Sequence, residues 1–381
     1  MGLFGRKNKG AIMRIQEASY NWDTEDPFFF AVHHRDNYPK GNEIQAPPEA
    51  ELSSRMQGND YTKYLGYRMY KGKVTPGFPL HSHWGYETIT YVTEGYVDHY
   101  DSLGNQGRFG FGDLQWITAS SRYGHCEMYP LAYPDRDNIQ VVTQICLNLP
   151  IKDKNRPNEV RTVWEHDVPV VDGEGWRAVV VAGEFRGTTG VTPNTLSWAA
   201  DPAHHVRIVR IILEAGASIE LEPTEAATRN VYVTEGEVTV EDTKVGKLTR
   251  VKLRTDATVK ITMGDMKSDI WLLEGDPIGE SQRNYGPIML GTDTEVRNAL
   301  NVIREKQESD WPWDFVNKKQ PLGTRRFFLS SDGARSEPNG PAPGESPLPS
   351  PDFFAHGAPG AVAPKTPVEK KKDEDDENER W

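Results

Sequence analysis

One phrase occurs twice in this chain, and each copy lies in a stretch that alternates like β-strands. YVTEGYVD covers residues 91–98, and YVTEGEVT covers residues 232–239, which begins 141 residues later. Around both copies, short runs of β-branched and aromatic residues are separated by Gly, Asn and Asp, which is typical of all-β sandwiches and barrels. An interval this long indicates duplication of a whole domain rather than a short solenoid repeat. The sequence therefore predicts an all-β fold with two related domains in tandem.

Changes in strand-like alternation and polarity along the chain give the expected domain boundaries. Strand-like runs extend over about residues 66–149 and return over about residues 176–274. The two predicted β-domains are drawn around them at residues 31–150 and 176–310, the second with its helix. Residues 151–175 are more polar and are interpreted as a linker. Residues 1–30 are left as an N-terminal extension, and residues 311–381 as a C-terminal tail.

A single helix is predicted at the end of the second domain. Thr292 and Glu295 have the spacing of a capping box, in which the two residues satisfy backbone N–H groups of the first helical turn. The apolar residues that follow recur at helical intervals, namely Val296, Ala299, Leu300 and Ile303. We therefore expect one amphipathic helix here.

The C-terminal tail is expected to be mostly disordered. From about residue 331 it is dense in Pro and Gly without periodicity, and residues 370–380 form the charged block KKKDEDDENER. Pro338 and Pro341 have the spacing of an SH3-type ligand. Protein partners could bind through such a motif. A solvated tail is the favoured interpretation, because these matches are common in any Pro-rich segment.

Charge and cysteine content argue against several classes of protein. The formal net charge is −12, whereas direct nucleic-acid binding requires a basic surface. Cys126 and Cys146 are the only cysteines, too few for a disulfide scaffold and typical of a reducing compartment. No apolar run reaches the roughly 18 residues of a membrane span, and the N-terminus lacks the apolar region of a secretory signal. We therefore expect an intracellular protein of the cytoplasm or nucleus.

Two short histidine motifs are the candidates for chemistry. His81 and His83 are two residues apart, so on an unbroken strand both imidazoles point to one face, and Glu87 shares their parity. Downstream, His125 and Glu127 repeat this spacing, with Cys126 directed to the other face. A single His-x-His on a strand is more often incidental than a metal site. Two such pairs could converge on one ion inside a barrel, which favours the metal-site interpretation.

The other histidines lack a partner at such spacing and are interpreted as structural. They are His33, His34, His99, His166, His204, His205 and His356. Cys126 is interpreted as a small packed residue rather than a reactive thiol. The candidate site is therefore limited to the two motifs above.

The residues around these motifs resemble the pirin branch of the cupins. The similar stretches are GFPLHSHWGYETITYVTEG at 77–95, DSLGNQGRFGFGDLQWITA at 101–119 and HCEM at 125–128. The resemblance implies two cupin, or jelly-roll, β-barrels in tandem. It also implies an iron ion in the N-terminal barrel, held by residues at the matching motif positions, namely His81, His83, His125 and Glu127. Because imidazole and carboxylate are borderline ligands, the residue types alone do not choose Fe(II) over other divalent metals.

Three residues near the motifs are assigned secondary roles. Many other cupins carry their carboxylate ligand at the position of Glu87, which here becomes a candidate to orient a histidine ligand. Trp84 and Tyr123 lie where this chain departs from the usual pirin motifs. Both are pocket candidates that could stack on an aromatic substrate, or pack within the barrel instead.

The second domain is expected to be structural. Where the first domain has His81 and His83, the aligned positions of the second carry Glu220 and Glu222. This carboxylate pair has no downstream histidine partner, so it is a poor site for such a metal. We interpret both acids as facing solvent.

The resemblance implies an iron-dependent dioxygenase similar to the pirin quercetinases. Such an enzyme opens a flavonol or another enediol-like aromatic substrate with O2, and Glu127 would be the general base for the substrate hydroxyl. The alternative implied by the same family is an iron-binding, redox-sensitive transcriptional coregulator without catalytic turnover. A metal-binding cupin with unrelated small-molecule chemistry is the third interpretation.

Overall fold

The computed structural model of the protein describes residues 10–306 and 309–355, and most of its regular structure is β-strand. Strands up to the linker are β1 (Ile12–Glu17), β2 (Asn21–Trp22), β3 (Phe28–Tyr38), β4 (Gly77–His83), β5 (Tyr86–Glu94), β6 (Tyr96–Asp101), β7 (Gln106–Gly110), β8 (Leu114–Ala119), β9 (Tyr123–Met128), β10 (Asn138–Asn148) and β11 (Glu159–Val163).

The later strands are β12 (Val170–Gly173), β13 (Trp176–Ala182), β14 (Glu184–Phe185), β15 (Thr188–Thr189), β16 (Arg207–Leu213), β17 (Ser218–Leu221), β18 (Thr228–Glu235), β19 (Glu237–Val240), β20 (Thr243–Gly246), β21 (Thr249–Leu253), β22 (Val259–Met263), β23 (Ser268–Gly275), β24 (Arg283–Tyr285), β25 (Ile288–Leu290), β26 (Phe327–Leu329) and β27 (Arg335–Ser336). The helices are α1 (Glu49–Leu52) and α2 (Asp293–Lys306), with short 3₁₀ turns at Ile151–Asp153, Glu165–Asp167, Trp198–Ala200 and Pro202–His204.

Two six-stranded sheets form the first barrel. One has the order β11-β8-β5-β10-β3-β2, and the other β27-β26-β7-β6-β9-β4. Apolar residues from both sheets meet inside the barrel, among them Val92, Phe109 and Val142. One part of the barrel interior is therefore an apolar core, and the histidine motifs lie outside that cluster.

The second barrel packs a seven-stranded sheet, β1-β21-β18-β23-β16-β13-β12, with a four-stranded one, β17-β22-β19-β20. Its core is apolar throughout and includes Val180, Ile211, Val231, Val251 and Ile261. The prediction of two tandem cupin barrels is confirmed. Both copies of the repeated phrase occupy the same place, since each spans a strand, a tight turn at Gly95 or Gly236 and the next strand.

Segments at the domain boundaries join the two barrels. The N-terminal extension contributes β1 to the second barrel and β2 to the first. The linker likewise supplies β11, which pairs with β8, and β12, which pairs with β13. Trp22 and Tyr232 stack at the junction, with ring centroids 4.4 Å apart. Each of these two segments therefore supplies an edge strand to both barrels, and apolar contacts join the barrels at the junction.

The predicted helix is confirmed as α2. The hydroxyl of Thr292 accepts a hydrogen bond from the Glu295 backbone N–H at 3.2 Å, as expected for a cap. Val296, Ala299 and Ile303 are buried against Ile288 and Leu290 of β25, so the apolar stripe faces the protein. No helix in the described part of the chain is long and apolar enough to span a bilayer.

The predicted tail divides into a first part that packs on the protein and a remainder that lies outside the described residues. Residues 311–355 pack on the first barrel, where β26 pairs with β7 and extends the sheet that carries β4 and β9. Buried Arg326 binds Asp113 of the barrel at 2.6 Å and Glu345 at 3.0 Å. A composition rich in Pro and Gly predicts disorder only when a segment lacks such partners. Residues 356–381, with the charged block, lie outside the described residues.

Candidate metal centre

The register of two neighbouring strands brings three histidines together. β4 and β9 are antiparallel, with His81 opposite His125 and His83 opposite Tyr123. Alternation within β4 points His81 and His83 to the same face, as the spacing predicts. Their ligand nitrogens and one of His125 all lie within 4.8 Å of one another.

The three imidazoles face one another closely. Nε2 of His83 and Nε2 of His125 are 2.8 Å apart. The rings of His81 and His125 have centroids 4.4 Å apart. Nδ1 of His81 lies 2.9 Å from the carbonyl oxygen of Pro79, which can only accept, so Nδ1 carries the proton and the Nε2 lone pair is free. Converging imidazole nitrogens are the ligand set expected of a divalent transition metal.

Burial keeps these histidines neutral, which metal binding requires. Desolvation lowers the pKa of His81 to about 4 and holds the pKa values of His83 and His125 well below the usual histidine value. Nδ1 of His125 is also buried and has no hydrogen-bond partner among the described residues. The residues present therefore fit a metal ion that takes up the lone pairs of the cluster.

Glu127 lies beside the cluster. Its Oε2 is 3.8 Å from Nε2 of His125, and the amide of Gln144 donates to its two carboxylate oxygens at 3.5 and 3.4 Å. Burial raises the pKa of Glu127 above the usual glutamate value. The mutually close group contains only the three histidines in the described part of the chain. A fourth-ligand role for Glu127 thus stays a prediction.

Glu87 points away from the histidine cluster. Its carboxylate accepts hydrogen bonds from Trp116 Nε1 at 3.0 Å, Thr118 Oγ1 at 2.7 Å and Ser197 Oγ at 2.5 Å. Glu87 would face the same side as His81 and His83 only on one unbroken strand, whereas β4 ends at His83 and β5 begins at Tyr86. None of these contacts within the described residues involves a histidine, so its role in orienting a histidine stays a prediction.

Trp84 and Tyr123 have packing partners of their own. The Trp84 indole donates to Asn155 Oδ1 at 2.7 Å and packs beside the apolar cluster under α2. Tyr123 is fully buried, and its hydroxyl donates to Asp101 Oδ2 at 2.9 Å. Its ring lies 5.4 Å from that of His125. Tyr123 therefore lies beside the cluster, whereas Trp84 is its neighbour only in sequence, and contact of either with a substrate stays a prediction.

Two neighbours of the cluster were not predicted as site residues. His99 on β6 is opposite Glu127, and its ring is 5.6 Å from that of His125. The phenol of Tyr86 is hydrogen-bonded to Nδ1 of His83. Burial, with smaller contributions from Cys146 and Glu127, raises the pKa of Tyr86 well above the usual tyrosine value. Spacing within the sequence does not predict the position of His99, because it is the pairing of β6 with β9 that brings this residue to the cluster.

The second barrel has no comparable cluster among its described residues. Glu220 and Glu222 are exposed, as predicted, and the barrel interior is filled with apolar side chains. The three-histidine group is the one of its kind found in residues 10–306 and 309–355. The interpretation of the second barrel as structural is consistent with both observations.

Comparisons with known families cover both barrels. Residues 23–145 match the family model described as Pirin, and residues 208–307 match the model described as Pirin C-terminal cupin domain. The two matches together span more than half of the chain.

Individual relatives and structures agree with these matches. A protein of Thermoplasma acidophilum with the provisional name quercetin 2,3-dioxygenase is 27% identical over 254 residues, covering 65% of this chain and 95% of that protein. Pirin of Rattus norvegicus is 26% identical over 247 residues, covering 63% and 80%. The crystal structure of quercetin 2,3-dioxygenase from Acinetobacter baumannii aligns with a TM-score of 0.60 at 21% identity, over 78% of this chain and 97% of that one. At that identity the structural likeness supports the fold alone.

Proposed function

Because this chain belongs to the pirin family, we propose that it is a metal-dependent dioxygenase acting with O2 on a flavonol-type or other enediol-like aromatic substrate. The observation that carries the proposal is the convergence of His81, His83 and His125 inside the first barrel. The provisional name of the Thermoplasma acidophilum relative supports the reaction class.

The proposed cofactor is one Fe(II) ion. His81, His83 and His125 would hold it, with Glu127 as the fourth ligand. Imidazole and carboxylate suit several divalent metals, and iron is chosen because of the family resemblance. When bound, the metal supplies Lewis acidity at the substrate oxygen and electron exchange with O2.

Glu127 is the proposed general base. A buried carboxylate with a raised pKa is better matched to accept the proton of a substrate hydroxyl near neutral pH than an exposed one. Gln144, on β10 of the other sheet, donates to this carboxylate. The same amide of Gln144 donates to Thr90 Oγ1 at 3.0 Å. His81 is half-buried, whereas His83 and His125 are buried, so substrate is expected to approach from the side of His81.

The test is reconstitution followed by an assay on a flavonol. The full chain loaded with Fe(II) should remove the near-visible absorption band of quercetin, take up O2 and release carbon monoxide. His83→Ala should lose both the metal and this activity while keeping its β-sheet circular dichroism. His166→Ala is the matched control, because His166 is exposed and outside the cluster.

Two results would overturn the proposal. If the metal-loaded protein leaves several flavonols unchanged in the presence of O2, the proposal of a dioxygenase is wrong. Retention of stoichiometric iron by His83→Ala would remove the proposed ligand set. An intracellular location and partner binding through the tail stay predictions alongside this function.

A further inference from the structure

The phenol of Tyr86 is held against a histidine of the metal cluster. Tyr86 is almost fully buried, and its hydroxyl is hydrogen-bonded to Nδ1 of His83. Its ring packs edge-to-face on Phe29, with centroids 4.9 Å apart, and also contacts Cys146 and Met289. These contacts limit the rotamers of the side chain, so the phenol oxygen is held at the imidazole.

The turn before Tyr86 fixes the backbone from which this side chain projects. Gly85 has a φ of +91°, and a Cβ there would lie 1.9 Å from the carbonyl oxygen of Met289. The buried ammonium of Lys154 donates to the carbonyls of Gly85 at 2.5 Å and Met289 at 2.8 Å. The short step from His83 to Tyr86 is therefore anchored on both sides.

The protonation of one ring nitrogen of His83 determines that of the other. A neutral imidazole carries one proton, so either Nδ1 donates to the phenol oxygen or the phenol O–H donates to Nδ1. Only the first arrangement leaves a lone pair on Nε2, the atom that faces His125. A metal ion at Nε2 therefore requires the proton at Nδ1 and a hydrogen-bond acceptor beside it.

We propose that Tyr86 is a positioning residue for the metal centre, whose phenol oxygen accepts the Nδ1–H of His83 and so holds the ring with Nε2 toward the metal. The imidazole is neutral throughout, because its single proton lies on Nδ1 and Nε2 keeps its lone pair, so His83 releases no proton when a metal binds. The inference rests on the proposed metal site but not on the identity of the substrate or of the metal.

The first test measures metal affinity in a variant that lacks only the hydroxyl. Tyr86→Phe keeps the ring and its packing but leaves Nδ1 of His83 without an acceptor. We expect the dissociation constant for Zn(II) and for Fe(II), measured by chelator competition, to rise about tenfold. Tyr232→Phe is the control, since its hydroxyl donates to Asp23 O at 2.8 Å and touches no histidine of the cluster.

The second test reads the tautomer of His83 directly. In the Zn(II)-loaded protein labelled with ¹⁵N-histidine, long-range ¹H–¹⁵N correlations should show the His83 proton on Nδ1, at a shift typical of a hydrogen-bonded N–H. The resonance is assigned in the wild-type protein from through-space contacts between the His83 ring and the ring of Tyr86. In Tyr86→Phe the same proton should shift and exchange faster with solvent.

The outcomes separate this inference from the proposed function. Unchanged metal affinity in Tyr86→Phe, or a His83 proton found on Nε2 in the loaded protein, overturns the role of Tyr86. A tenfold loss of affinity in a protein inert toward flavonols supports the role of Tyr86 and overturns the dioxygenase. Equal loss in Tyr232→Phe would show that removal of any buried phenol weakens the site, and would also overturn the inference.

Discussion

Two roles are assigned to Glu127, and they require different behaviour of the same carboxylate. As a ligand it must remain at the histidine cluster, and as a base it must reach the substrate hydroxyl. Its Oε2 is already 3.8 Å from Nε2 of His125, while the side-chain amide of Gln144 donates to its two oxygens at 3.4 and 3.5 Å. Contacts this long are compatible with a carboxylate that moves between the two positions.

Replacing Glu127 by Gln should separate the two roles. The amide cannot accept the substrate proton as a carboxylate does, so we expect kcat to fall by about 100-fold or more. The three histidines remain, so metal should still bind, with lower affinity. Metal content and kcat are measured on the same preparation, with Glu220→Gln in the second barrel as control. A variant with near-normal kcat would show that another group is the base.

Glu87 should make the stability of the protein depend on pH. Burial raises its pKa to about 7, against the three hydrogen-bond donors that lower it. The folded state therefore binds the proton more tightly than the unfolded state, whose glutamate pKa is about 4.3. Its favourable contribution is complete below about pH 4.3 and is lost as pH rises through 7, a loss of roughly 4 kcal/mol.

Glu87→Gln removes this titration while keeping the shape of the side chain. Urea unfolding of the metal-free chain at a series of pH values from about 5 to 8 should show the wild-type free energy of unfolding falling relative to that of the variant. Histidine titrations are common to both proteins and cancel in the difference. Parallel curves would mean that Glu87 has an ordinary pKa in the folded protein.

At the scale of elements, the ordered segment 311–355 acts as an outer layer of the first barrel. Cys126 points out of the barrel and lies under Trp311 and Trp313, on the face opposite to His125 and Glu127. Gln320 donates its backbone N–H to Asp98 at 2.8 Å, the residue that also pairs with buried Arg108. This segment therefore supports the sheet that carries all three histidines of the cluster.

Arg326 should be the main polar anchor of that layer. Arg326→Met leaves the buried carboxylates of Asp113 and Glu345 without their cation, and breaking a buried ion pair typically costs about 3–5 kcal/mol. Urea unfolding measures the change. Arg335→Met is the control, because its partner Glu337 is exposed and such pairs contribute at most about 1 kcal/mol. A similar, small effect of both substitutions would show that the segment is held by its apolar contacts alone.

Local sequence patterns predicted those elements whose structure is determined by their own residues. The strand texture, the capping box of α2 and the facing of His81 and His83 all follow from spacing within one segment. The layer formed by residues 311–355 could not be predicted this way, because its order depends on Asp113 and Asp98 of a distant part of the chain. Tyr86 and His99 were missed for the same reason, since the turn at Gly85 and the register of β6 with β9 bring them to the site.

At the scale of the whole molecule, the two barrels are coupled by segments that give an edge strand to each and by apolar contacts. β1 and β2 connect them from the N-terminus, and β25 returns from the second barrel to form a backbone bridge between Ile288 and Trp84. An apolar cluster at the junction combines Ile89 and Trp116 of the first barrel with Ile208 and Trp271 of the second. An interface of this kind favours unfolding of both barrels together rather than one at a time.

Metal binding to the first barrel should therefore stabilise the second as well. An ion that binds only the folded state at 100 times its dissociation constant adds about 2.7 kcal/mol to the free energy of unfolding. If unfolding is cooperative, fluorescence and circular dichroism should report one transition that shifts as a whole when Zn(II) is added. Amides of the apolar core strands β18 and β23 should gain protection from hydrogen exchange by the same amount as those of β9. Two transitions, with only one responding to metal, would show that the contacts between the barrels are too weak to couple their unfolding. In that case the second barrel would be an independent domain whose stability has no bearing on the metal centre.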